Sequence, residues 1–388
     1  MTNRRSFIKK MGLGTLAASG VSGLLPADKN LLRANNTETL HFQLEKTERD
    51  FNGEYRNEYL SKVAFPIGGI GAGMFCLEGT GAISHLSVNN RPEIYNVPYA
   101  FAAISVKGLE KGAKVLESTV PTWKLFGPRG SGNGLGNRNY GLPRFSRGSF
   151  LARFPFATIK LKDSDIPLDV QIEGWSPFVP TDEDNSSLPV GVLEYSFKNN
   201  GRQEIEAVFS YNARNFIDDK GTIVPQRNGF RLTKAVANGE THPGGFAIYL
   251  DDDSAVTDHC WFRGGWFDAQ TILWDNIREG KVVNHPPIEG IAPGASVYLP
   301  FMLNTGEEKT IKVNFCWYMP KSDLSIGHPI VTGNAFTGKT TRQAVKKQQT
   351  VSGYQGAGLL NSFDPAGDGQ VGILISPPFP INRRYLKF

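Results

Sequence analysis

Few segments of this 388-residue chain invite a chemical reading, and each has a plainer one beside it. Phe65-Pro-Ile-Gly-Gly-Ile-Gly-Ala-Gly73 is glycine-rich enough for a dinucleotide loop, but the spacing fails. A G-x-G-x-x-G pattern begun at Gly69 meets Met74 where its last glycine belongs, and one begun at Gly71 meets Cys76. The expected role is backbone geometry, a tight crossing that only glycine permits. Gly333-Asn-Ala-Phe-Thr-Gly-Lys-Thr340 matches the P-loop pattern in full. Its amides would cradle phosphates while Lys339 reached them and Thr340 held Mg²⁺. That chemistry also needs a parallel sheet with a Walker-B Asp. The later apolar run, Val371 to Ile375, ends in Ser-Pro-Pro, so the match reads as coincidence. Glycoside hydrolysis needs two carboxylates about 5–10 Å apart. The visible clusters, Asp182-Glu183-Asp184 and Asp251-Asp252-Asp253, read as solvated turns. No G-x-S-x-G nucleophile pattern occurs, Cys76, Cys260 and Cys316 are far apart, and the six histidines form no ligand spacing. Neither a metal nor any other cofactor is expected. Trp175, Trp261, Trp266 and Trp274 combine an apolar face with a polar handle, which suits stacking on sugar rings as well as packing in a core.

The elements that would carry these residues are strands. Glycine (43) and proline (24) are abundant, and with 25 Phe, 12 Tyr and 6 Trp they favour short strands joined by tight turns over a helical bundle. Residues 156–161, 168–172, 190–197, 205–211, 245–250, 296–303 and 310–317 alternate toward period 2. Asn199-Asn200-Gly201 separates two of these runs and reads as the turn of a hairpin. The whole reads as an antiparallel β-sandwich of more than seven strands. Residues 266–278 fit a short helix, with apolar positions at Trp266, Phe267, Leu273, Trp274 and Ile277.

Charge excludes one broad class. The net charge is +5, but residues 321–388 hold eight basic and three acidic residues, so residues 1–320 sum to zero. Arg4, Arg5, Lys9 and Lys10 leave residues 11–320 slightly acidic. A nucleic-acid partner, which needs a basic face on the folded body, is not expected. The paired arginines precede an uncharged stretch from Met11 to Leu25 that resembles a twin-arginine export signal. That stretch is short of the ~20 apolar residues a spanning helix needs. Residues 1–26 are therefore expected to direct export to the periplasm or beyond, with no stable membrane span.

Five stretches resemble one family. They are Phe65 to Gly73, Trp175-Ser-Pro-Phe-Val-Pro180, Phe209-Ser-Tyr-Asn-Ala-Arg-Asn215, Arg263-Gly-Gly-Trp-Phe-Asp268 and Phe315-Cys-Trp-Tyr-Met-Pro320. In this order they are similar to the N-terminal domain of glycoside hydrolase family 116, which includes non-lysosomal glucosylceramidases and bacterial β-glucosidases. The resemblance covers residues 54–320. It implies a large β-sandwich packed on a C-terminal (α/α)6 barrel, and that barrel supplies the nucleophile Glu and acid/base Asp of a retaining mechanism. Residues 321–388 are too few for a dozen helices, so no catalytic residue is assigned. Residues 348–356, 360–363 and 372–379 resemble the opening strands of a jelly-roll module appended to some carbohydrate hydrolases, cut short at Tyr385 to Phe388.

The expected organisation is a signal over 1–26, a linker over 27–53, the sandwich over 54–320, a linker over 321–347 and a partial jelly roll over 348–388. The expected function is the non-catalytic portion of an exported β-glucosidase-like hydrolase, inactive alone. Its partners would be a catalytic barrel, in cis or on a separate chain, and through it a β-linked glucoside or other glycan. The alternative is a free-standing carbohydrate-binding sandwich. Trp175, Trp261, Trp266, Gly69 and Gly71 are the candidate contacts to sugar or to a domain interface.

Overall fold

The computed structural model describes residues 49–320 apart from 90–91, 95, 127–137, 237–243 and 267, together with 330–333, 362, 369 and 371–375. The export segment, the Lys339 motif and most of residues 348–388 lie outside the described residues.

The elements are short and nearly all β. Strand β1 (Tyr55–Arg56) leads into a 3₁₀ helix, Asn57–Lys62. Strands β2 (Ala64–Ile67), β3 (Met74–Glu78) and β4 (Ile83–Ser87) form a three-stranded meander. β5 (Ala100–Val106) pairs with β6 (Ala113–Val115), and helix α1 (Thr122–Phe126) follows. β7 (Arg147–Arg153), β8 (Phe156–Lys162) and β9 (Leu168–Trp175) make a second meander. Helix α2 (Glu183–Ser186) then precedes β10 (Val190–Asn199), which pairs with β9, and β11 (Ile205–Ala213). β12 (Ile223–Gln226), β13 (Gly229–Thr233) and β14 (Gly245–Leu250) form a third meander. After β15 (Val256–Asp258) come helix α3 (Ala269–Arg278), β16 (Ala295–Leu303) and β17 (Glu308–Tyr318). A last hairpin joins β18 (Ile330–Gly333) to β19 (Gly372–Ile375).

Two large antiparallel sheets result, ordered β1-β7-β8-β9-β10-β17-β14-β13-β12 and β15-β16-β11-β5-β6. Alternation decides which face of each strand is buried. On β8, Ala157, Ile159 and Leu161 are buried while Lys160 and Lys162 face outward, and β17 buries Ile311, Val313, Phe315 and Trp317 in the same way. The sheets meet through aromatic pairs. Tyr195 lies 5.1 Å from Phe209, Phe197 5.4 Å from Phe301 and Phe315 5.3 Å from Tyr211, each pair spanning the two sheets. The β2–β4 meander packs against the nine-stranded sheet where Gly174 and Gly191 leave room. A Cβ on either glycine would fall within 2.6–2.7 Å of the Ile67 side chain. This is an all-β sandwich with short helices.

Two expectations change at the level of connections. Asn199-Asn200-Gly201 is not a hairpin turn, because β10 and β11 lie in different sheets. The chain crosses from one sheet to the other there, and it crosses back between β16 and β17. Buried Asn199 ties the two corners together. Its side-chain amide donates to the carbonyls of Gln203 (2.8 Å) and Leu303 (3.0 Å). Its backbone N–H donates to Glu307 O and its carbonyl accepts from Gly306 N–H, both at 2.9 Å. Helix α3 starts at Ala269, later than the apolar pattern from Trp266 suggests. Asp268 caps it, accepting from the Gln270 N–H at 3.0 Å. Ala269, Leu273 and Ile277 form its buried stripe against Tyr99, Phe101 and Trp261, on the five-stranded sheet. Strand β18, which leads into the Lys339 motif, pairs antiparallel with β19, whereas a P-loop core is parallel. No helix among the described residues is long and apolar enough to cross a membrane.

Candidate functional interface

The glycine loop joins antiparallel β2 and β3, a strand–loop–strand setting rather than the strand–loop–helix a dinucleotide site uses. Three contacts hold it. Gly68 N–H donates to Ser176 Oγ (3.1 Å), Ile70 N–H to Ser186 O (2.7 Å), and Trp317 Nε1–H to Ala72 O (2.6 Å). At Gly69 a Cβ would sit 2.1 Å from Leu188 O. At Gly73 it would sit 2.7 Å from Ser87 O, and φ is +92°. Both positions exclude any side chain. Gly71 has φ +76° at the loop tip, with nothing within 4 Å of a Cβ.

The segment that receives the loop is itself knitted by short polar contacts. Ser186 Oγ accepts from Val179 N–H (2.9 Å) and donates to Val179 O (3.0 Å). Asp182 caps α2, accepting from Asn185 N–H at 3.0 Å, and hydrogen bonds from Asn185 hold its carboxyl below the usual range. Around this frame large apolar side chains face solvent. Ile70 is 58% exposed and Phe154 62%, with Phe178, Val179 and Leu188 also exposed. Phe154 and Phe178 meet edge to face at 5.0 Å. A clustered apolar edge of this kind is unusual on a surface with no partner.

Trp175 adjoins this edge at the end of β9. Its indole N–H donates to Glu194 Oε1 at 3.1 Å, which lays the ring across the outer face of the nine-stranded sheet. In register, Phe156, Trp175, Val192, Asn314 and Tyr249 form one outward row across five strands. Polar groups run beside it. Lys312 Nζ lies 3.6 Å from Glu194 and 3.8 Å from Asp251, and Asn314 donates to Asp251 at 2.8 Å.

The other tryptophans stand elsewhere. Trp261 is a core residue, 2% exposed, so it cannot be a sugar or interface contact on the surface. Its Nε1–H donates to Ser296 Oγ (2.8 Å), which donates to Asn212 Oδ1 (2.6 Å), so the polar handle is used internally. Trp266 is 93% exposed just before the α3 cap, apart from the contacts of the loop. Trp274 packs, half-buried, beside the α3 core.

The acidic clusters are occupied with structure. Asp253 accepts two bonds from Arg227 (2.8 and 3.0 Å) and one from Asn228 (2.8 Å), while Asp252 accepts from Ser254 (2.6 Å). Asn228 and Arg227 lower the Asp253 pKa, and Ser254 followed by Lys309 lowers that of Asp252. Neither is poised as an acid near neutrality. All three cysteines are free thiols, and burial pushes Cys76 up to about 11. Among the described residues no group of three or more His, Cys, Asp or Glu could hold a metal ion.

Three buried ion pairs escaped the reading of the sequence. Lys124 of α1 closes on Glu78 of β3, Lys114 of β6 lies 2.7 Å from Asp163, and Arg144 Nε donates to Glu117 at 3.1 Å. Their partners are far apart in the chain and carry no motif. A lone charge beside an apolar run, such as Leu77-Glu78, is the one available signal.

A family model described as beta-glucosidase 2, glycosyl-hydrolase family 116 N-term, matches residues 64–345. No curated protein matches the chain. Among solved structures, one described as a polysaccharide lyase matches at 12% identity with a TM-score of 0.26, over 70% of this chain and 36% of that one. The chain thus spans little more than a third of that protein's length.

Proposed function

Because the chain belongs to the family of glycosyl-hydrolase family 116 N-terminal domains, we propose that it serves as the non-catalytic sandwich of an exported β-glucosidase-like hydrolase. A catalytic barrel, in cis or on a separate chain, would dock on the apolar edge around the glycine loop. The observation that carries this is the exposure of Ile70, Phe154, Phe178, Val179 and Leu188 beside a loop braced at Gly69 and Gly73, where no side chain fits. Export rests on Arg4, Arg5 and the uncharged run after them. The test is hydrolysis of an aryl β-glucoside by the purified chain, alone and with its catalytic barrel. Turnover only in the presence of the barrel is expected. Sustained turnover by the chain alone would end the proposal and send mutagenesis to Asp182–Asp184 and Asp251–Asp253.

One observation favours a second reading, in which the sandwich itself holds glycan. Trp175 stands on an outer sheet face, bonded to Glu194 and flanked by Phe156 and Val192, with Asn314 and Tyr249 farther along the same row. A pyranose offers C–H faces to aromatic rings and hydroxyls to such polar groups. Quenching of tryptophan fluorescence by cellotetraose, lost in Trp175→Ala, would establish it. No quenching would leave the docking role alone.

A further inference from the structure

A cleft of about 860 Å³ lies at the opposite end of the β7–β8 hairpin from Phe154 and Phe156. Strand β1 pairs with β7 only at Ser149 and Phe150, so the start of β7 is left open beside the 3₁₀ helix and residues 118–122. The cleft gathers four cations, Arg56, Arg147, Lys160 and Lys162, against two acids, Glu54 and Glu58. Glu54 is already engaged, accepting from Arg56 Nε (2.9 Å) and Nη2 (2.6 Å). Chiefly through that contact, its carboxyl is held below the usual range.

The remaining cations are arranged against their own interest. Arg147 stands directly opposite Lys162 in the antiparallel register, and Lys160 follows two residues away on the same outward face. Like charges directly opposite one another destabilise a sheet. Lys160 has the Glu54 carboxylate within its field, but among the described residues no carboxylate forms an ion pair with Arg147 or Lys162 to offset this.

We propose that this cleft binds an oxyanion, either borne by an acidic saccharide as its carboxylate or free as phosphate. The anion would neutralise the Arg147–Lys162 pair and accept from Lys160 on the same outward face. This assignment goes beyond the docking role and stands independently of it, since it uses the other end of the hairpin.

The test is calorimetric titration of the full chain at low salt with trigalacturonate, inorganic phosphate and the neutral trisaccharide maltotriose. Binding of an anionic probe that weakens as salt is added is the expected result. Lys162→Glu places an acid opposite Arg147. It should weaken that binding about tenfold or more while raising the thermal midpoint, because a repulsive cross-strand pair becomes attractive. Lys111→Glu, on an exposed loop outside the cleft, should change neither. Trigalacturonate binding more tightly than phosphate assigns a saccharide-borne anion, and the reverse order assigns a free oxyanion. The proposal is overturned if neither anion binds, if maltotriose binds as well as trigalacturonate, or if Lys162→Glu shifts the midpoint without changing affinity.

Discussion

Gly69 presses its α-carbon against the carbonyl of Leu188, and Gly71, two residues on, meets open space. The two positions should therefore answer differently to the same methyl group. Gly69→Ala should cost more than about 3 kcal/mol in urea unfolding, because backbone must move to admit it. Gly71→Ala should cost about 1 kcal/mol, the penalty of its positive φ alone. Equal losses would show that the loop is not braced at Leu188. Asp258 gives a pH signature at the same scale. Its carboxyl is buried, one oxygen has no partner, and desolvation raises its pKa against the opposing pull of the Cys260 N–H and His285. A carboxyl with a raised native pKa binds its proton more tightly when folded. Its contribution is therefore fullest in acid and is lost as pH rises through the native value. Relative to Asp258→Asn, the unaltered protein should lose stability as pH climbs above the ordinary carboxylate range. Unfolding midpoints at pH 4, 5.5 and 7 would read that slope, and parallel curves would refute it. None of this was legible in the sequence. Gly69 and Gly71 belong to one run of glycines, and burial, which separates Trp261 from Trp266, is a property of packing rather than of residue type.

The elements show where period-2 alternation is informative and where it stops. It marks the core-facing residues of β8, β9 and β17 because the nine-stranded sheet there has one dry face and one wet face. It cannot say which sheet a strand joins. Asn199-Asn200-Gly201 signals a reversal, yet β10 pairs with β9 and β17 instead of the strand that follows it. That choice is made by aromatic partners across the sandwich. The α1 helix depends on an interaction of similar reach. It is five residues long and carries Lys124, buried against Glu78 of β3. Lys124→Met alone should cost about 3–5 kcal/mol, because Glu78 is left as an uncompensated buried charge. Glu78→Leu combined with Lys124→Met should recover most of that loss. A double-mutant cycle with no coupling would mean that the two charges are independently solvated.

At the scale of the whole molecule, one end of the sandwich is apolar and open while the outer face of the five-stranded sheet is covered by α3. Ile70→Asp together with Phe178→Asp should leave the fold intact, since both side chains are exposed. The pair of changes should lower the binding of an apolar dye. Unchanged dye binding would place the sticky surface elsewhere. The family resemblance was legible because its five stretches lie at turns and strand ends, where glycine, proline and aromatic residues are fixed by geometry. The cationic cleft was not, because Arg147 and Lys162 become neighbours only through the pairing of β7 with β8.

The position of β17 bears on how the chain is made. It is the last strand of the nine-stranded sheet to leave the ribosome, yet it lies between β10 and β14, both completed well before it. Until Glu308–Tyr318 arrives, the larger sheet is two pieces, each with a bare hydrogen-bonding edge and apolar rings such as Phe246 lacking their cover. Contacts of such long sequence separation slow folding, because loop closure comes before its reward. The nascent sandwich therefore passes through a long interval in which it is most prone to aggregate, and a single late strand closes that interval.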